Sequence, residues 1–325
     1  MKNICIVGLG AISPLHIGAI SKLSDYTKLY AVCDIVKEKA DEISKKHSGK
    51  PFYSIDDALK DENIDSFHIL TPHHLHFEMI KKCLEKGKMV VSEKPLVMTK
   101  EEFSLLSSMN TENLCCIFQN RTNNSSLRLM EIIKNDPSIG EFIGSRAFLT
   151  WSRDRKYYES GAWRGKWATE GGGVLINQAI HTLDLMLEAS GKVASVKATM
   201  ANHSLKDVIE VEDTLEALIH FENGTKGLFY ASNANGYHAP PMIEISFKNA
   251  LFLISDGKLY KNGELLAKDT DNYTGKICWG DGHSLELYNI YAENKGLKIK
   301  DITNTMNTVY SIYESAKQNG KEVIL

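Results

Sequence analysis

The sequence predicts two domains of different class: a doubly wound parallel α/β domain over 1–120, then an α+β domain over 121–325 built on an open, mainly antiparallel sheet. Three observations carry this. Apolar β-branched runs alternate with polar helical stretches through the first third. A glycine pair, Gly8-Leu9-Gly10, stands where the first such run ends. Beyond Val193 the texture turns to strands joined by Asn-Gly and Asp-Gly pairs, which favour two-residue hairpin turns.

In order, strands are expected at Ile4–Val7, Leu29–Cys33, Ser66–Leu70, Met89–Ser92 and Leu114–Phe118. Helices at His16–Ser24, Lys37–Lys46, His74–Lys86 and Glu101–Asn110 fall between them. Each is long enough for the right-handed crossover that parallel strands require. After Asn120 come a helix over Ser125–Lys134, an extended run over Ser145–Trp151 and an aromatic, charged loop to Glu170. A helix then starts beyond Gly171-Gly172-Gly173. Glu216–Phe221 and Gly227–Ala231 flank Asn223-Gly224, and Asp256-Gly257 and Asn262-Gly263 mark further hairpins. A helix over Ile302–Lys317 closes the chain.

Two domains also follow from length, because single cores stop growing near ~250–300 residues, and this chain has 325. No apolar stretch approaches the ~18 residues of a membrane helix, so no membrane partner is expected. The first residues read as a strand and not as an export signal. A net charge of −3 without a dense Lys/Arg block argues against a nucleic-acid surface. The six cysteines, Cys5, Cys33, Cys83, Cys115, Cys116 and Cys278, make no C-x-x-C pair. They fit reduced thiols of a cytoplasmic protein.

Gly8-Leu9-Gly10-Ala11-Ile12-Ser13 follows a strand and opens a helix, the setting in which glycines let pyrophosphate approach backbone N–H groups at a helix N-terminus. Ser13 occupies the place usually held by a third Gly or Ala. Asp34 ends the second strand, 24 residues after Gly10, where an acid binds adenosine ribose hydroxyls and repels a 2′-phosphate. A Rossmann nucleotide site preferring NAD(H) to NADP(H) is expected.

Two further strand ends carry polar groups: Thr71-Pro72 with His73, His74 and His76, and Glu93-Lys94-Pro95. Such carboxyl ends line the ligand crevice of an open α/β sheet. Pro95 restricts Lys94 to extended conformations that hold its ammonium toward the crevice; the plainer reading is a solvated charge. The three histidines lack the i, i+4 pairing of a helix-borne metal site, and no metal is expected. Asn177, His181 and Asp184 fall at i, i+4 and i+7, on one face of the helix after the glycine triplet, with Leu175, Leu183, Leu185 and Leu187 on the buried side. The stripe reads as an active-site wall or as structural hydrogen bonding.

The constellation resembles the glucose–fructose oxidoreductase/inositol dehydrogenase/rhizopine-catabolism (Gfo/Idh/MocA) family nearly end to end. The likeness rests on Gly8-Leu9-Gly10 with His16, Thr71-Pro72 with His76, Glu93-Lys94-Pro95, Phe118-Gln119-Asn120-Arg121, the glycine triplet through His181 and Asp184, and Gly282-His283. It implies a nicotinamide held at the domain junction and a homodimer or homotetramer formed through the C-terminal sheet. It implies that Gly8, Gly10, Ala11, Ile12, Asp34, Ile35, Thr71, Pro72, His73, His76, Glu93, Lys94, Trp163 and Arg164 bind cofactor. Lys94, His181 and Asn177 are implied as catalytic, with Arg121 and Tyr157 joining them around the substrate. Asn177 stands where many members have Asp, and an amide cannot take a proton.

The expected activity is hydride transfer between NAD(H) and a hydroxyl or keto carbon of a sugar, cyclic polyol or sugar derivative. An NAD-dependent glycosidase acting by transient oxidation and a non-catalytic NAD-binding sensor are the alternatives.

Overall fold

The computed structural model of the chain describes residues 1–270 and 282–325. They form two units, one holding 1–119 and 282–301, the other 120–270 and 302–325.

The first unit alternates β1 (Lys2–Val7), α1 (Ser13–Lys22), β2 (Thr27–Cys33), α2 (Lys37–His47), β3 (Lys50–Phe52), α3 (Ile55–Ala58), β4 (Ser66–Ile69), α4 (His76–Glu85), β5 (Met89–Ser92), α5 (Lys100–Ser107) and β6 (Leu114–Cys116). The sheet is parallel throughout, in the order β3-β2-β1-β4-β5-β6. Strand order reverses between β1 and β4, the switch point at which open α/β sheets bind ligands. Strand β3 and helix α3 were absent from the sequence expectation; a three-residue strand containing Pro51 has too little pattern to read. The helix expected from His74 begins as a 3₁₀ turn over His73–Leu75 and becomes α-helical only at His76.

Ile4, Ile6 and Val32 are fully buried and pack with Ile17 and Ile20 of α1. Each such side chain contributes roughly 1.5–3 kcal/mol by burial.

The second unit begins with α6 (Asn124–Asn135), β7 (Phe142–Thr150), α7 (Arg155–Glu159), α8 (Trp167–Glu170) and α9 (Ile180–Ser190). Strands β8 (Val193–Ala201), β9 (Thr214–Phe221), β10 (Lys226–Ser232), β11 (Met242–Phe247), β12 (Ala250–Ser255), β13 (Lys258–Lys261) and β14 (Glu264–Lys268) follow. Helix α10 (Gly282–Tyr291) then rejoins the first unit, where Leu287 and Ile290 pack against Ala19, Val91, Cys115 and Ile117. The expected domain of 121–325 therefore does not keep residues 282–301 together with the rest. Leu287 and Ile290, three apart on one face of α10, find their cover on the first unit's helices and strands. Helix α11 (Ile299–Lys317), which belongs to the second unit from Ile302 onward, and β15 (Val323–Ile324) complete the chain.

The nine-stranded sheet runs β14-β13-β12-β11-β7-β10-β9-β8-β15 and is antiparallel except where β10 pairs with β7. Asp256-Gly257 and Asn262-Gly263 form two-residue turns with positive φ at both positions, whereas Asn223-Gly224 lies in a four-residue connection where only Gly224 takes positive φ. Cys5, Cys33, Cys83, Cys115 and Cys116 are buried free thiols, and Cys278 lies outside the described residues. No helix among the described residues is long and apolar enough to cross a membrane.

Candidate nucleotide and catalytic site

The first unit's nucleotide candidates lie at or just beyond the carboxyl ends of β1, β2, β4 and β5, while Trp163 and Arg164 lie in the second unit. Gly8 has φ +92°, and a Cβ there would sit 2.8 Å from the Leu70 carbonyl oxygen, so the chain itself requires glycine. At Gly10 a Cβ would meet nothing within 4 Å. Glycine at this exposed position leaves room for something outside the chain, as close approach of a pyrophosphate needs. Ser13 closes the loop from within, its hydroxyl donating to the Gly10 carbonyl at 2.9 Å. Pro14 follows in the first turn of α1, where its missing N–H is harmless.

Asp34 is held as well as placed. One carboxylate oxygen accepts the Leu9 N–H at 2.8 Å and the other the Val36 N–H at 2.9 Å. The acid thus braces the glycine loop, and neighbouring Ile35 is exposed.

At the end of β4, His76 is buried with Nδ1 at 2.8 Å from the Pro95 carbonyl oxygen and Nε2 at 2.8 Å from that of Thr71. It cross-braces the loops after β4 and β5. Burial lowers its pKa against the pull of both carbonyls. His73 is also buried, so neither ring is an open surface ligand.

Glu93 is the centre of this strand-end cluster. Its Oε1 lies 3.1 Å from His16 Nε2 and 3.0 Å from His283 Nε2, while Oε2 accepts the Lys94 N–H at 3.2 Å. Burial opposes its ionisation, but the hydrogen bonds from His16 and His283 outweigh that and hold the carboxyl well below the usual range. Lys94 stands half-buried beside it, and the Lys94–Pro95 peptide is cis. Donor atoms of His16, Glu93 and His283 lie close enough together to hold a metal ion. Ligation would break both N–H···O bonds, and His283 Nδ1 has no hydrogen-bond partner among the described residues, whereas a ligating imidazole normally anchors its second nitrogen. A hydrogen-bonded anion accounts for the geometry better. The cluster was missed because its members are far apart in sequence, although His16 and His283 were separately visible beside their glycines.

In the second unit, residues after the glycine triplet do not form one α-helix. Val174–Ala179 is a π-helical turn, and α9 starts only at Ile180. The wider turn changes the angular spacing before Ile180, so the regular α-helical i, i+4, i+7 pattern holds only from α9 onward. Asp184 is buried: Arg121 donates to both its oxygens at 2.7 and 2.8 Å, and Thr305 donates at 2.7 Å. Arg121 also pairs with Glu188 at 2.8 Å. These bonds give Arg121 and Asp184 a structural role, tying the segment before α6 to α9 and α11. Asn177 and His181 remain partly exposed.

Two buried acids absent from the sequence reading shape this turn. Glu170 accepts the Gly165 N–H and the Asn177 side-chain amide, each through a short hydrogen bond. A carboxylate therefore does lie next to position 177, supplied from seven residues upstream. Glu212 accepts the Gly173 and Leu175 N–H groups at 2.8 and 3.1 Å and the Tyr313 hydroxyl at 2.8 Å. Glu170, between Thr169 and Gly171, and Glu212, beside Asp213, look like solvated charges in sequence. Tyr157, Trp163 and Arg164 are brought together: the guanidinium lies 4.6 and 4.5 Å from the two ring centroids and donates to the Tyr157 hydroxyl at 2.7 Å. Gln178 donates to the same hydroxyl at 2.8 Å, linking this aromatic clamp to the π-helical turn.

A doubly wound sheet with a glycine-lined switch point, an acid after its second strand and a separate mixed sheet defines a Rossmann dinucleotide-binding protein. Comparison with known proteins sharpens the class. Residues 2–120 match the model of an oxidoreductase family with an NAD-binding Rossmann fold, and residues 127–252 match the GFO/IDH/MocA C-terminal domain. The chain belongs to this family of NAD-binding oxidoreductases.

An uncharacterized oxidoreductase of Schizosaccharomyces pombe is 28% identical over 184 residues, 55% of this chain and 49% of that one. The chain spans about half the length of the first curated relatives it matches. The scyllo-inositol 2-dehydrogenase (NAD(+)) of Bacillus subtilis is 27% identical over 243 residues, 71% of this chain and 67% of that one. Among solved structures, the WlbA dehydrogenase from Bordetella pertussis in complex with NADH and UDP-GlcNAcA aligns over 100% of this chain and 98% of that one, at 25% identity and TM-score 0.86. A levoglucosan dehydrogenase in complex with NADH, at 18% identity, TM-score 0.88 and coverage of 99% and 98%, shares the fold.

Proposed function

We propose that the chain is an NAD(H)-dependent dehydrogenase or reductase acting on a CH–OH group of a sugar, a cyclic polyol or a sugar derivative. The observation that carries this reading is the strand-end assembly of the first unit: an open glycine at position 10, Asp34 held at the end of β2, and a buried anionic Glu93 next to Lys94. Family membership and relatives named for polyol and nucleotide-sugar-acid chemistry point the same way.

The residues fit an NAD-type dinucleotide. The glycine loop and α1 would receive the pyrophosphate, Asp34 the adenosine ribose hydroxyls with Ile35 beside the adenine, and Glu93 the nicotinamide ribose. Thr71, Pro72 and the His76-braced loop would line the same crevice. When bound, nicotinamide supplies a carbon that accepts or donates hydride. The chain's own part is proton handling and orientation. Lys94 is assigned the proton of the reacting hydroxyl, and His181 the acid–base role on the second unit. Asn177, oriented by Glu170, is assigned a substrate hydroxyl and no proton transfer. Arg164, clamped by Tyr157 and Trp163, is assigned a cofactor or substrate contact. Asp34 favours NAD(H) over NADP(H) by repelling a 2′-phosphate.

The outer face of the nine-stranded sheet carries exposed Leu218 and Leu228, which are cross-strand partners. This apolar surface supports a homodimer or homotetramer assembled through the sheet.

The test is fluorescence titration with NADH and NADPH, then a screen of polyols, sugars and UDP-sugar acids with NAD⁺ at 340 nm. The expected result is tighter binding of NADH than NADPH and reduction of NAD⁺ by one substrate class. Lys94→Ala should lower kcat by at least about 100-fold, the usual worth of a general acid–base group, while NADH still binds. Binding without turnover on any substrate would return the glycosidase and sensor readings, and no binding would refute the nucleotide site itself.

A further inference from the structure

The first unit buries a row of polar side chains that the proposed chemistry does not itself use. Strand β4 lies between β1 and β5, and interior strands of parallel sheets are normally apolar on both faces. Yet Ser66 and His68, two residues apart and so on one face, are fully buried there. His68 Nδ1 lies 2.9 Å from His16 Nδ1, and His68 Nε2 lies 2.8 Å from the Tyr291 hydroxyl. That hydroxyl is 2.7 Å from Ser66 Oγ. At the far end, His16 Nε2 meets Glu93. The sequence Ser66–Tyr291–His68–His16–Glu93 is thus one unbroken hydrogen-bonded chain joining β4, α10, α1 and the end of β5.

Donor and acceptor bookkeeping permits two directions for this chain when both imidazoles are neutral. In the first, Ser66 donates to Tyr291, Tyr291 to His68 Nε2, His68 Nδ1–H to His16 Nδ1, and His16 Nε2–H to an ionised Glu93. In the reverse direction every bond inverts, and Glu93 must carry the proton that it donates to His16. Two further contacts decide between them. His283 Nε2 meets the same Glu93 oxygen at 3.0 Å, and the Lys94 N–H donates to the other at 3.2 Å. These two N–H groups, which lie outside the relay, converge on the same carboxyl and select its ionised form. Burial keeps both relay imidazoles neutral, lowering His16 and holding His68 well below the ordinary histidine value.

We propose that Ser66, Tyr291, His68 and His16 are positioning residues: a directional relay that fixes His16 as an Nε2–H donor and so holds the ionised Glu93 carboxylate in one orientation. With Oε1 occupied by two histidines and Oε2 already accepting the Lys94 N–H, the remaining lone pair of Oε2 is left to accept a hydroxyl of a vicinal diol such as a ribose. This use of Oε2 rests on the cofactor reading above, whereas the relay itself does not.

The test separates the two. Long-range ¹H–¹⁵N spectra of the full-length protein without cofactor should show His16 as the Nε2–H tautomer and His68 as Nδ1–H. Tyr291→Phe removes the hydroxyl that donates to His68 Nε2, freeing that nitrogen to change tautomer, and keeps the ring. It should redistribute both tautomers and weaken NADH binding roughly tenfold, the loss expected for a disturbed hydrogen bond to a charged group. Binding of AMP, which probes only the adenosine half, should be unchanged and also report an intact fold. Opposite wild-type tautomers would overturn the relay, as would a Tyr291→Phe variant with unchanged tautomers and NADH affinity. Predicted tautomers in a wild type that does not bind NADH would uphold the relay and refute the cofactor reading.

Discussion

Asp34 shows how one residue serves both the fold and the proposed site. Its oxygens accept the Leu9 and Val36 N–H groups, and Leu9 is buried. Asp34→Ala would leave the Leu9 N–H without its acceptor, a loss of about 1–3 kcal/mol, and would remove the charge that repels a 2′-phosphate. The expected outcome is a roughly tenfold weaker NADH complex, by the same hydrogen-bond argument, with NADPH affinity unchanged or improved. Parallel titrations of the two cofactors check this, and an unaltered NADH-to-NADPH ratio would remove Asp34 from cofactor selection. Asp34 was legible in the sequence because its place after a strand has a physical meaning. The bracing of the glycine loop was not, since backbone N–H partners leave no side-chain pattern. Glu93 and Lys94 were legible for the same reason as Asp34. His68 was not, because a histidine inside an apolar run carries no sign of what its ring will face.

The segment from Gly171 through α9 shows where reading elements from pattern falls short. Apolar periodicity correctly announced a helix after the glycines, but pattern does not distinguish a π-helical turn from an α-helical one over six residues. What shapes the turn comes from distant chain: Glu212 receives the Gly173 and Leu175 N–H groups, and Tyr313 donates to Glu212. A Cβ on Gly173 would lie 1.9 Å from the Glu212 carbonyl oxygen, which explains the glycine better than turn propensity does. Burial raises the Glu212 pKa from 4.5 to about 7 in spite of the bonds from Leu175, Tyr313 and Gly173. The folded state therefore binds more protons than the unfolded chain between those two values, and stability falls as pH rises from 4.5 toward 7. The contribution is on the order of 3 kcal/mol across the window. Glu212→Gln should flatten that part of the stability curve in urea melts at a series of pH values. An identical slope in the variant would place the dependence elsewhere.

At the scale of the whole molecule, the parallel sheet was legible because crossover handedness and alternation leave few orders for such a chain. The return of α10 to the first unit was not, since it depends on which apolar face in a 325-residue chain finds Leu287 and Ile290. The second sheet was legible through its hairpins, though the parallel β7–β10 pairing joins strands far apart in sequence. Strand alternation makes one face of this sheet the unit's interior: Ala147, Leu149, Phe229 and Ala231 are at most 1% exposed. Their neighbours on the other face include Leu228 at 44% and its cross-strand partner Leu218 at 37%. Tyr230 and Phe148 pair on the same face, two residues along. An outer sheet surface that met only water would carry polar residues at these alternate positions. The apolar choice is what a second copy of the chain would select. Sedimentation equilibrium of the wild type should give a dimer or tetramer, and Leu228→Asp, which places a charge at the centre of that patch, should shift it toward monomer without lowering the melting temperature of the monomeric unit. A monomeric wild type at tens of micromolar would sink assembly through this face, and an unshifted Leu228→Asp oligomer would assign the interface to another surface.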